Sequence, residues 1–194
     1  MAIRIIFWHT ELTKRKGRYR MDLNLQITDM TGARPEHSTV IVNFVAAVRK
    51  QLMNSTCYVY SDNIQYRFKT DEGEDKIVIP DASINCRIKS RRGSTFIDAP
   101  RFVMEVISDF TEKYDRGEKK ELYRQQEVDE FWIVDWRKQQ VEIYNLDYDE
   151  NGQPQYYLWQ VISPENKAEL RIVHFPNIKI SFDELFAEVE DYGR

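Results

Sequence analysis

The chain is 194 residues long, enough for one domain with its own core, and its 13 Gly plus Pro and 31% charged residues exclude collagen-like, linker-like and disordered classes. A count of 28 basic against 32 acidic side chains gives a net charge of −4, so any hold on nucleic acid has to rest on local patches. The two cysteines, Cys57 and Cys86, form neither a disulfide framework nor a metal-ligand spacing. No apolar run approaches the ~20 residues of a membrane span, and the first residues lack the form of an export signal. The expectation is a protein of the reducing cytoplasm.

In chain order, residues 18–30 alternate. Tyr19, Met21, Leu23, Leu25 and Ile27 are apolar between polar neighbours, which predicts a strand with one wet face. After the TGARPEH break, Val40, Ile41, Phe44, Val45, Val48 and Leu52 recur at helical spacing, predicting a helix laid on a sheet. Strands are expected at 57–62, 64–68, 77–86 and 101–108, with the acidic loop TDEGED and the polar connection RIKSRRGSTFIDAP between them. Residues 109–126 predict a charged helix with Leu122 and Tyr123 on its buried side. Paired strands follow at 130–136 and 139–146, turning near Arg137 and Lys138, and further strands at 155–163 and 169–175. Ser181 and Glu184 form a capping box for a last helix. The whole predicts an α/β (α+β) fold around one mixed sheet.

The chemistry gathers in the middle. Asp81 follows Pro80 inside an apolar run, and Glu105 lies on an apolar strand between Val103 and Ile107. A carboxylate there is costly unless a cation, a metal or a donor satisfies it. Side by side on neighbouring strands, the two would make a hard oxygen site suited to Mg²⁺. Asp115, Lys119 and Tyr123 share one helix face by their i, i+4, i+8 spacing, from which a lysine could reach the acids. Taken alone, Asp81 reads equally as a turn residue, Glu105 as half of a structural salt bridge, and Lys119 as part of a solvated face. His37, ahead of the first helix, reads as a structural histidine or as a contact to phosphate. His9 and His174 read as structural. Trp132, Phe131 and Tyr123 read as core.

These residues in order resemble the Uma2 family (DUF820): Pro80 and Asp81, Glu105 and Ser108, then Asp115, Arg116, Lys119 and Tyr123, then Glu130, Phe131, Trp132 and Asp135. The resemblance covers residues 28–185 of a single domain spanning 1–194, with 1–27 most divergent. It implies a restriction-endonuclease-like core of the PD-(D/E)xK kind, flanked by helices. It also implies DNA as substrate and Mg²⁺, with Mn²⁺ as possible substitute, held by Asp81, Glu105 and the backbone carbonyl of Val106. The lysine that many relatives carry two positions after the second acid is Ile107 here, so Lys119 takes that role, with Lys120 as fallback. The glutamate that many members carry ahead of the MTGA segment is Met21, and their Asp-Gly pair falls on Asn24 and Leu25. Asp22 could stand in only if a bulge re-aims it.

Three functions follow for test: a metal-dependent endonuclease, a nuclease-fold binding or interaction module that no longer cuts, and a structural homodimer whose carboxylate–lysine cluster holds the sheet. Two basic clusters, Lys14 to Arg20 and Arg87 to Arg92, could flank a phosphate backbone. A homodimer is expected to the extent that cutting two strands needs two sites.

Overall fold

The computed structural model describes residues 34–109 and 111–190, together with the backbone of two short strands near the start of the chain. It falls into two units, Met1–Ala33 and Arg34–Arg194. In the first, β1 (Leu12–Arg15) pairs antiparallel with β2 (Arg18–Met21). The remainder of the alternating segment, with Asp22, Asn24 and Leu25, lies outside the described residues, as does His9.

The second unit is built on a six-stranded mixed sheet. Its strands are β3 (Tyr58–Ser61), β6 (Ala82–Asn85), β9 (Phe102–Val106), β10 (Glu130–Asp135), β11 (Gln140–Tyr148) and β12 (Pro154–Ile162). Their order is β12-β11-β10-β9-β6-β3, with only β9 and β10 parallel. A smaller mixed sheet, ordered β5-β4-β8-β7, holds β4 (Gln65–Lys69), β5 (Asp75–Val78), β7 (Arg91–Arg92) and β8 (Thr95–Phe96). The polar connection RIKSRRGSTFIDAP thus carries a small hairpin, and the run IVIPDASI is divided at Pro80 between two sheets. A proline cannot donate to a ladder, so the strand ends there.

Helix α1 (Pro35–Gln51) buries Val40, Ile41, Phe44 and Val48, the stripe its spacing predicts. They pack with Phe102, Met104, Val106, Trp132 and Val134 on one face of the large sheet. The alternate residues Val103, Phe131 and Ile133 pack on the other face with Tyr66, Phe68, Leu122 and Tyr123. The two parallel strands are therefore buried on both sides, which is why they read as nearly unbroken apolar runs. The charged segment forms one helical path of α2 (Glu112–Tyr114), a π-helical turn (Asp115–Lys119) and α3 (Lys120–Gln125). Ser108 and Thr111 bond reciprocally at its start, so Ser108 serves as a helix entry. The capping box of α4 (Phe182–Leu185) forms as expected.

Two expectations are corrected. Residues 169–175 form no strand; a single 3-10 turn (Lys167–Glu169) and a bend lead instead to Val173 and His174. Their backbone N–H groups donate to the buried Glu130 carboxylate, at 3.1 and 2.8 Å, so this carboxylate takes donors that a ladder would have used. Cys57 and Cys86 are joined in a disulfide. The β3–β6 register, which pairs Tyr58 with Asn85, sets them opposite each other one step further on. Linear spacing carries no trace of that. No helix among the described residues is long and apolar enough to cross a membrane.

Two stability tests follow. The disulfide spans a separation of 29 residues, and loop-closure entropy of that size is worth about 3–4 kcal/mol. Urea unfolding with and without dithiothreitol, and of Cys57→Ser/Cys86→Ser, is expected to show a loss approaching that value. His174 lies with Nδ1 3.3 Å from Glu130 Oε2, and the hydrogen bond to Glu130 raises its pKa above 6.5 against partial burial. Its folded-state pKa exceeds the unfolded one, so its contribution is complete below pH 6.5 and fades as pH rises through the raised value. The stability difference between wild type and His174→Asn should be at most about 1 kcal/mol in acid and shrink towards alkaline pH.

Candidate active site

β6 and β9 run antiparallel with Ala82 opposite Met104, and one further step in the same register sets Asp81 opposite Glu105. The period of two then turns both carboxylates to the face that also carries Val103 and Tyr123. Both are almost wholly buried, at 3% and 0% exposure.

Neither is bare. Asp81 Oδ2 accepts the N–H of Val106 at 2.8 Å and lies 3.2 Å from His37 Nε2. His37, in the first turn of α1, is itself buried, and its Nδ1 has no partner among the described residues. Glu105 Oε2 accepts from Lys119 Nζ at 2.8 Å, and Oε1 accepts from the Tyr123 hydroxyl at 2.6 Å. Lys119 also stands 3.0 Å from Asp115 Oδ1, in charge contact but off the hydrogen-bonding direction. The π-helical turn spans Asp115 to Lys119, and such insertions often mark functional sites because they re-aim the side chains they carry.

Electrostatics separates the two acids. Burial pushes the Glu105 carboxyl up to about 8; the charges of Asp81 and Asp115 add to this and Lys119 opposes it. Burial also works against the Asp81 charge. There the hydrogen bond and charge of His37, with the Lys119 ammonium, outweigh it and hold the carboxyl below its usual range. Burial disfavours the Lys119 cation, but Glu105, Asp115 and Asp81 together raise its pKa above the ordinary value. Burial and the neighbouring Glu105 push the Tyr123 hydroxyl well up. Carboxyls driven apart in this way are common where one acid must stay charged while another exchanges a proton.

Of the residues singled out in the sequence, Asp81, Glu105, Lys119 and His37 come together. Val106 enters through its N–H. Because an extended residue sends N–H and C=O to the same side, its carbonyl leaves the strand towards Asp81. Lys120 points elsewhere, with its ammonium 3.5 Å from the centre of the Tyr144 ring. Asp22 lies outside the described residues. Glu130 and Asp135 do structural work. Glu130 accepts from the Trp132 indole at 2.7 Å and holds the 173–174 bend, while Asp135 Oδ1 accepts the N–H groups of Arg137 and Lys138 in the β10–β11 turn. Tyr123, read as core, is also the second donor to Glu105. Its place on the Asp115–Lys119 face was the available signal.

The donor set suits a hard divalent cation in kind. No cluster of three or more His, Cys, Asp and Glu among the described residues is arranged to hold a metal. Magnesium, however, is commonly bound through one or two carboxylates, with waters and substrate phosphate completing the shell.

The mixed sheets flanked by helices place the chain in the nuclease-fold class by likeness to a solved structure. A DUF820 protein of Anabaena variabilis ATCC 29413, described as "a putative nuclease", shares this fold at TM-score 0.62 and 16% identity, over 79% of this chain and 82% of that one. The family model of Uma2, described as "Putative restriction endonuclease", matches residues 9–174, and the chain belongs to that family. An uncharacterized protein of Synechocystis sp., slr1290, is 26% identical over 125 residues. That match covers 64% of this chain, and the chain spans the same share, 64%, of the relative's length.

The Tyr123–Glu105 bond ties a buried carboxyl to α3. Tyr123→Phe is expected to lower stability by about 2 kcal/mol in urea unfolding. Combined with Glu105→Gln it should cost less than the sum, because both substitutions act on one hydrogen bond.

Proposed function

We propose that the protein is a divalent-metal-dependent endonuclease that hydrolyses phosphodiester bonds of DNA, the whole chain acting as one domain. The observation that carries this reading is the buried set of Asp81, Glu105 and Lys119 at one end of the central sheet. Membership of Uma2 and the nuclease fold of its Anabaena neighbour support it.

In this reading Asp81, Glu105 and the Val106 carbonyl hold Mg²⁺, with Mn²⁺ as a substitute. The bound ion would lower the pKa of a water and neutralise phosphate charge. The remaining work belongs to side chains. The Val106 N–H and His37 fix the orientation of Asp81. Tyr123 and Lys119 each donate to one oxygen of Glu105 and so fix its carboxyl group. The Lys119 ammonium, kept charged by Glu105 and Asp115, orients the attacking water or stabilises charge growing on the phosphate. The site of action is the cytoplasm, where thiols would act on the Cys57–Cys86 bond, so both redox forms belong in the assay.

Two observations favour the second reading, a nuclease-fold binding or interaction module. Both Glu105 oxygens are already engaged by protein donors, and Met21 stands where many members carry an acid.

The test is Mn²⁺- and Mg²⁺-dependent cleavage of a plasmid, single-stranded DNA and RNA panel. Wild type is expected to cut, and Asp81→Asn and Glu105→Gln each to lose at least about a hundredfold in rate. Equal cleavage by wild type and both variants removes the site assignment. A wild type that neither cuts nor takes up Mg²⁺ in calorimetric titration favours the module.

A further inference from the structure

The helical path that carries Asp115, Lys119 and Tyr123 towards the acids carries a second stripe one residue on. Arg116, Lys120 and Arg124 repeat at i, i+4, i+8; the first two meet Glu142 and Tyr144 of β11, and Arg124 meets the Pro154 carbonyl of β12. There they line a cleft of about 230 Å³, together with Glu121 and Tyr156.

Its three cations are matched in number by Glu112, Glu121 and Glu142, but Lys120 is left without a carboxylate in contact. Arg116 is held by Glu112 at 2.9 Å and by Glu142 at 2.8 Å, and Arg124 by Glu121 and the Pro154 carbonyl. A guanidinium has five N–H donors, so each arginine is fixed in direction and still has donors to offer. Lys120 forms no ion pair among the described residues. Glu142 is the carboxylate that bears on it, already shared between Arg116 and Tyr144, and its ammonium rests on the Tyr144 ring. Half-burying a cation without a carboxylate in contact is unfavourable, and an anion entering the cleft would relieve it. Gly117 also lines the cleft, and a Cβ added there would meet nothing within 4 Å.

We propose that Arg116, Lys120 and Arg124 form a phosphate-binding cleft that grips the nucleic-acid backbone away from the bond being cut. The proposal rests on the nuclease reading of Asp81 and Glu105. Strand spacing supports the assignment to a duplex. From β9, which carries Glu105, to β11 and β12 is two to three spacings, or about 10–15 Å. A duplex groove about 12 Å wide presents phosphates across such a distance.

The test is fluorescence anisotropy of a short fluorescein-labelled DNA duplex in EDTA, across a salt series. Lys120→Gln is expected to bind about fivefold or more weakly, with a log–log salt slope less steep by about 0.9. Lys120→Arg should retain most of the affinity. Asp81→Asn, whose defect lies in cleavage, should bind at least as tightly as wild type, so failure of the cleft and failure of the catalytic reading are seen separately. Wild-type affinity and slope in Lys120→Gln overturn the cleft, as does absence of duplex binding by wild type. Displacement by inorganic phosphate as readily as by unlabelled duplex overturns the backbone assignment in favour of a small phosphate ligand.

Discussion

Lys119 places one ammonium between two buried carboxylates, Glu105 on β9 and Asp115 at the start of the π-helical turn. Removing an ion from water costs several kcal/mol even after relaxation, and attraction recovers that only where geometry is good and the remaining oxygens have donors. Here Tyr123 supplies the remaining donor to Glu105, while Asp115 Oδ1 is held to Lys119 by charge without a hydrogen bond. The helical path can therefore cross the sheet in only a narrow range of positions. A shift of one residue would move Lys119 off Glu105 and leave an uncompensated charge in the core.

The sheet makes that constraint bearable. β9 and β10 are covered on both faces, so their backbone is rigid and their side chains have little freedom to drift. The acids sit where β6 begins and β9 ends, and a rigid strand terminus is a precise mount for a polar group. Glu130, a buried carboxylate at the opposite end of β10, spends its oxygens on Trp132 and the 173–174 bend. Two buried glutamates on adjacent strands thus serve different ends, decided by what surrounds each. One is closed off by backbone donors and an indole; the other faces a lysine and a second acid.

Much of the site was legible in the residues. Asp81 and Glu105 stood out as carboxylates in apolar runs, and the helical spacing named the face that reaches them. Lys119 and Lys120 are neighbours and equivalent in sequence; which one meets the acids depends on how the helix is turned above the sheet. Tyr123 looked like core because a buried hydroxyl has the same apolar neighbours as a phenyl ring until its partner is seen. Residues 169–175 read as a strand because Ile172 and Val173 favour one, yet the N–H groups of Val173 and His174 donate to Glu130, some forty positions earlier.

Local patterns by themselves determined the elements: α1 from its apolar stripe, the central strands from their unbroken apolar runs, and α4 from its capping box. Each depends on residues within a few positions of one another, and so survives in a linear reading. Only the tertiary structure decided what stands opposite what. The β3–β6 register brought Cys57 to Cys86, the β6–β9 register set Asp81 against Glu105, and the crossing of the helix chose Lys119 and turned Lys120 to Tyr144. These are contacts between residues far apart in the chain, and their partners are selected by packing and desolvation.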